Sequence, residues 1–185
     1  MALVLLAAAR LASGAFPEQV AACDLGQLAR EAMERITARA ELMDAETELE
    51  VPAEPIVVRA DAVHVSRILD NLLNNALTYV RGRPWIGLRV RVEEGEATVE
   101  VEDHGIGIPE HIRERVFERF FRANDPQLPP HPGTGLGLFI SRELANRHSG
   151  RLQVLRSTPG SGSTLSLSLP VADLKPQVAG SRRSP

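Results

Sequence analysis

The sequence predicts an α+β fold, a two-layer α/β sandwich in which a mixed, mostly antiparallel sheet carries its helices on one face. Three observations lead there. Segments with apolar residues three to four apart interleave with segments that alternate apolar and polar residues. The clearest alternating segments come in pairs joined by glycine turns, the mark of antiparallel hairpins. The core is aliphatic, since hydrophobic residues make up 43% of the 185-residue chain and aromatic ones only 4%. A chain of this length forms one domain with appendages.

Residues 1–15, MALVLLAAARLASGA, place Leu3, Leu6, Arg10 and Leu11 on a helix with one apolar face, which Gly14 stops. A secretory signal is the other use of such a run. Here no basic residue precedes the apolar stretch and Arg10 interrupts it. Residues 16–23, with Pro17, form a connector. Asp24 then caps a helix to about Asp44, with Leu25, Leu28, Ala32, Ile36 and Ala40 along one stripe. Thr47–Val51 and Ile56–Ala60 are strand candidates around Pro52 and Pro55. Asp61 caps a long helix to about Val80, with Val65, Ile68, Leu69, Leu72, Leu73, Ala76 and Leu77 on its apolar face. Gly82 and Pro84 end it.

Ile86–Glu93 and Ala97–Asp103 alternate on either side of Gly95 and form a hairpin. Pro109 opens a helix to about Phe121. Residues 122–133 are a loop with four of the 13 prolines. Leu136–His148 is a helix, and Leu152–Arg156 with Thr164–Leu169 makes a second hairpin around Pro159–Gly162. Residues 173–185 are rich in Pro, Ser and Arg and read as a disordered tail.

Charge and composition exclude several functions. The net charge is −3, so the chain is not a broadly basic nucleic-acid binder. All but one of its 21 basic residues are arginine, the exception being Lys175. A Walker-type phosphate loop therefore has no lysine in the body of the chain. Cys23 is the only cysteine, which excludes an internal disulfide and any cysteine-rich zinc site. No apolar run approaches the ~20 residues that span a bilayer.

Seven of the 14 glycines fall in three clusters: Gly105 and Gly107; Gly133, Gly135 and Gly137; Gly160 and Gly162. Turns use glycine in this way, and that suffices for the third cluster. The second runs directly into an apolar helix, where bare N–H groups and the helix dipole favour an anion. In the first, Asp103 ends a strand. It either caps the next turn or accepts a hydrogen bond from an exocyclic amine such as that of adenine. The helix after Asp61 holds Asn71, Asn74 and Asn75, a costly composition for a helix. Asn71 and Asn75 share a face, where amides can hold a hydrated cation and phosphate oxygens, or simply meet solvent.

Together, in this order and spacing, the clusters resemble the catalytic ATP-binding domain of sensor histidine kinases, part of the Bergerat-fold superfamily. Residues 71–79 (NLLNNALTY) resemble its N box, DHGIGIP its first glycine box, and Phe117–Arg122 (FERFFR) its F box. GTGLGL from Gly133 resembles its second glycine box, and GSGST from Gly160 its last glycine motif. The likeness spans about residues 24–170 and implies ATP and Mg2+ as ligands. Asn75 would ligate the metal and Asn71 support the phosphates. Asp103 would bind the adenine amino group, with Gly105 and Gly107 making room for the ring. The second box (Gly133, Thr134, Gly135, Leu136, Gly137) would meet the phosphates, its Gly135, Leu136 and Gly137 offering N–H groups at the helix start. Thr164 would reach adenine through water, Tyr79 would line the site, and Arg122 would reach the phosphates. Residues 123–132 match the mobile ATP lid.

The resemblance divides the chain into a remnant of a dimerisation helix (1–15), a linker (16–23), an ATP-binding domain (24–172) and a tail (173–185). It implies a cytoplasmic domain that phosphorylates a histidine not present in this chain, on a phosphoacceptor/dimerisation domain in cis or trans. That phosphoryl then passes to the aspartate of a response regulator. Two departures stand out. Many family members carry lysine where this chain has Thr78, and none of its five histidines has the phosphoacceptor context. Autonomous ATPases and anti-sigma-type serine kinases of the superfamily carry a glutamate general base where this chain has Asn71. That favours phosphoryl transfer to histidine, which is already nucleophilic. The alternatives are a non-catalytic or an anti-sigma-type ATP-binding regulatory module.

Overall fold

The structure, a computed structural model, describes residues 18–80, 82–122 and 134–172. The expected N-terminal helix, the start of the linker, the lid segment, Gly133 and the tail lie outside the described residues. The elements run β1 (Ala21–Asp24), α1 (Leu25–Leu42), β2 (Glu46–Glu50), β3 (Val57–Ala60), α2 (Ala62–Thr78), β4 (Trp85–Glu93), β5 (Glu96–Asp103), α3 (Gly137–Arg147), β6 (Arg151–Thr158) and β7 (Gly162–Pro170).

Five strands form one sheet in the order β2-β4-β5-β7-β6, and β1 and β3 form a separate antiparallel pair. Within the larger sheet only β2 and β4 run parallel. The sheet is therefore mixed and mostly antiparallel, as the sequence predicts. Alternation puts Leu88 and Val90 of β4, Val99 and Val101 of β5, and Leu165 and Leu167 of β7 in the core. The stripe of α2 packs there too: Val65, Ile68, Leu69, Leu73 and Leu77 are fully buried. Each such side chain contributes roughly 1.5–3 kcal/mol. Strand β6 carries a bulge between Val154 and Arg156.

Both predicted aspartate caps form. Asp24 accepts the Gly26 amide at 2.9 Å and also the Ile56 amide at 3.0 Å, so one carboxylate starts α1 and holds the approach to β3. Asp61 accepts the Val63 amide at 2.9 Å.

Two expectations are corrected. The connector before Asp24 is not free of structure, because Ala21–Asp24 pairs with β3. The helix expected after Pro109 is instead two 3-10 turns, Glu110–Ile112 and Arg115–Phe117. Ile112 and Phe117 are the buried residues there. Five positions apart, they would point to nearly opposite sides of a continuous α-helix, whereas the broken path turns both inward.

Candidate functional site

A cavity of about 120 Å3 opens between α2, the inner face of β5 and β7, and residues 106–122. Leu72 and Ala76 of α2, Val101 of β5 and Leu165 of β7 make its apolar walls. Ile106, Ile108, Ile112, Val116 and Phe121 close the remaining side. Asp103 stands at one end and Asn75, Tyr79 and Arg122 lie around the rest. The cavity is thus a mostly apolar slot with a few polar groups, the usual make-up of a small-molecule site.

Asp103 ends β5 opposite Ser163 of β7. Its Oδ1 accepts the Gly105 amide at 2.8 Å. Burial pushes its carboxyl above the ordinary aspartate range, against the pull of the Gly105 and Ser163 amides. The backbone crowds closely here. A Cβ at Gly105 would lie 2.1 Å from the Tyr79 carbonyl oxygen. Gly162, at φ +105, has room for no Cβ either, because one would sit 1.9 Å from the Asp103 carbonyl oxygen.

A second polar knot lies behind this end. Ser157 Oγ accepts the Ile108 amide at 2.6 Å and donates to the Gly162 carbonyl at 3.1 Å. It also lies 2.9 Å from Ser163 Oγ. Arg113 Nη2 donates to the Ser157 carbonyl at 2.5 Å.

Helix α3 begins close to α2. Asn71 Nδ2 donates to Ser141 Oγ at 3.1 Å, and a Cβ on Gly137 would meet Asn71 Oδ1 at 2.4 Å. The residue before α3, Leu136, makes no side-chain cap hydrogen bond to the amides at the helix start. Leu138, in the first turn, lines the cavity. The segment before it is held by arginine over aromatic rings: Arg115 stands 4.6 Å from the Phe121 centroid, and Arg142 4.9 Å from that of Phe117. Phe120, at φ 62, donates its amide to the Gly135 carbonyl at 2.9 Å.

Of the residues singled out by sequence, Asn75, Tyr79, Asp103, Gly107 and Arg122 line the cavity, and Gly105 adjoins Asp103. Thr134, Gly135 and Gly137 lead into the start of α3, and Leu136 offers only backbone because its side chain is fully buried. Asn71 bonds Ser141 through its amide nitrogen, and its Oδ1 stands beside Gly137 at the start of α3. Thr164 pairs with Glu102 and Arg156 and lines an adjoining hollow that shares Asp103 and Ser163 with the cavity, while Ser163 and Leu165 reach the cavity itself. Thr78 is bonded to the Asn74 carbonyl at 2.7 Å and to Arg39 at 3.3 Å, toward α1. The sequence reading also missed the isoleucines of the first glycine loop. Their signal is the apolar-glycine alternation of GIGI. Among the described residues no group of three or more His, Cys, Asp or Glu gathers to hold a metal. Asn75 provides a hard oxygen donor of the kind that suits a cation keeping most of its water.

The profile of the family described as histidine kinase-, DNA gyrase B-, and HSP90-like ATPase matches residues 60–173. Sensor histidine kinase MtrB of Mycolicibacterium paratuberculosis is 36% identical over 167 residues, covering 90% of this chain and 29% of that protein. The chain therefore spans under a third of the length of such relatives. Among solved structures, the mycobacterial sensor histidine kinase MprB is 30% identical with a TM-score of 0.69, covering 82% of this chain and 97% of that one. Full-length ShkA in complex with AMPPNP is 26% identical with a TM-score of 0.80, covering 91% of this chain and 35% of that one. No described helix is long and apolar enough to cross a membrane.

Proposed function

The chain belongs to the family of histidine kinase-, DNA gyrase B- and HSP90-like ATPases, and on that premise we propose that it is the ATP-binding catalytic domain of a two-component sensor histidine kinase. It binds Mg·ATP in the cytoplasm and transfers the γ-phosphoryl to a histidine on a phosphoacceptor/dimerisation domain supplied upstream or by another chain. From there the phosphoryl passes to a response-regulator aspartate.

One observation carries the reading: an apolar slot lined also by a half-buried carboxylate, Asp103, with the start of α3 beside it. The slot suits a flat purine between Leu72, Ala76 and Ile108. Asp103 accepts from its amino group. The amides of Gly137 and Leu138 and the guanidinium of Arg122 suit the phosphates. Asn75 would hold Mg2+, which when bound offsets phosphate charge. Catalysis is then positioning plus electrostatic stabilisation of the transferring group. Asn71 supports transfer over hydrolysis, since an amide bonded to Ser141 is no general base for water.

Calorimetric titration with Mg·ATP tests the binding: Asp103→Ala is expected to weaken it at least about tenfold. With γ-labelled ATP and a dimerisation domain bearing the acceptor, base-stable and acid-labile label is expected on histidine. ATP binding indifferent to Asp103→Ala overturns the site. Label on serine, or no label with ATP bound, overturns the transferase.

A further inference from the structure

The polar end of the cavity has a proton arrangement that can be worked out atom by atom. A serine hydroxyl has one proton to give and two lone pairs to accept with. Ser157 Oγ uses its proton on the Gly162 carbonyl, 3.1 Å away. One lone pair takes the Ile108 amide at 2.6 Å. Either hydroxyl can donate across the remaining 2.9 Å contact to Ser163 Oγ, and all three Ser157 contacts are satisfied at once only when Ser163 is the donor. Ser163 lines the cavity with its own proton already committed backwards. What the Ser163 hydroxyl then has left to offer a ligand is lone pairs, and Asp103 opposite it offers carboxylate oxygen.

We propose that Ser157 is a positioning residue that sets the base preference of the cavity. By taking the Ser163 proton, it turns the polar end into an acceptor-only surface that admits a purine amino group and rejects a purine oxo group. The inference rests on the ATP-binding reading and adds a determinant that touches no ligand itself. An amino group brings two N–H donors to these acceptors. An oxo group brings only lone pairs and is left unmatched against these acceptors, so the ring N–H beside it is the one donor the oxo base can offer them. The knot is also fixed in space. Ser157 joins the first glycine loop through Ile108 to the β6–β7 turn through Gly162, and Arg113 holds its carbonyl. Removing the Ser157 hydroxyl frees the Ser163 proton to rotate toward the cavity, where it can donate to an oxo group.

The test is the ratio of the inosine triphosphate Kd to the ATP Kd. The two nucleotides differ by an oxo group in place of the amino group and the ring proton that goes with it. Wild type is expected to favour ATP. Ser157→Ala is expected to lower the ratio about tenfold, with inosine triphosphate binding unchanged or tighter. Ser157→Thr keeps the hydroxyl and is expected to hold the ratio within about threefold of wild type. Melting curves report whether each variant folds. If Ser157→Ala does not fold, Ser157→Cys, with its poor acceptor sulfur, carries the same expectation. Equal weakening of both nucleotides marks a structural role only and overturns the proposal, as does a wild type that binds both equally. A wild type that binds neither overturns the ATP-binding reading instead.

Discussion

His64 Nδ1 and His148 Nε2 lie 3.1 Å apart in the core, joining the start of α2 to the end of α3. One ring must donate and the other accept, so the contact needs an unprotonated nitrogen. Burial pushes the His148 imidazole below its usual value, and His64 and Arg147 push the same way against Glu18 and Asp61. A histidine with a depressed folded-state pKa adds stability that is present above its unfolded value and lost as pH falls through the folded one. The urea midpoint is therefore expected to drop as pH falls below about 6.5. His148→Gln should flatten that slope, and an unchanged slope in the variant would locate the titration elsewhere.

Asp103 runs the other way. Its raised pKa means that the ionised carboxyl costs the nucleotide-free fold stability, a cost that grows as pH rises through the raised value. Asp103→Asn removes the charge and keeps an oxygen for the Gly105 amide. The variant is expected to melt higher than wild type at neutral pH without nucleotide. Its ATP affinity should fall by about 1.5–3 kcal/mol, the worth of a hydrogen bond to a charged group. ATP affinity of the wild type should weaken as pH falls through the same range, visible by titration at several pH values. A melting point lowered by the substitution would contradict the desolvation argument.

Gly105 and Gly137 are both crowded, but by different neighbours. At Gly105 the obstacle is the Tyr79 carbonyl of the backbone; at Gly137 it is the end of the Asn71 side chain. Gly105→Ala is expected to cost about 1–3 kcal/mol or more, since backbone must shift. Gly137→Ala should cost less and dislodge Asn71 from Ser141. Adding Asn71→Ala to Gly137→Ala is then expected to recover stability relative to the sum of the single changes. Chemical denaturation of the four proteins measures this, and simple additivity would refute the interlock.

Asn75 faces the cavity where the phosphates would extend. In chelator, Asn75→Ala is expected to bind ATP about as wild type does. With Mg2+ present, the wild type should gain affinity and the variant should not. Titrations with and without the metal decide it, and an equal gain in both would remove Asn75 from the metal site.

Much of this was legible because one residue type dominates each local choice. Asp24 and Asp61 announce their helices, and the alternation about Gly95 fixes the central hairpin. The unread parts depend on partners distant in sequence. Ala21–Asp24 shows no alternation and becomes a strand only because β3 lies alongside. Which of Ser163 and Thr164 faces the cavity is a matter of strand parity. Gly162, in its left-handed conformation, sets that parity at a point where the sequence shows only a turn. Asn71 shares a helical face with Asn75, yet its amide is fixed by Ser141, 70 residues on, a partner no local pattern reveals.

Among the described residues, β2 and β6 are the outer strands of the sheet, and each has an edge that could recruit a strand from another copy. On one border, Glu46, Glu48 and Glu50 of β2 are all exposed, with Glu46 ion-paired to Arg83 and Glu50 to Arg89, so a strand docking there must displace or desolvate charged side chains. On the other, the bulge after Val154 breaks the ladder's regular spacing and twists β6 away from a straight template. The assembly hazard of an open sheet is thereby met at one border by charged side chains and at the other by misfit, with no need to close the sheet into a barrel.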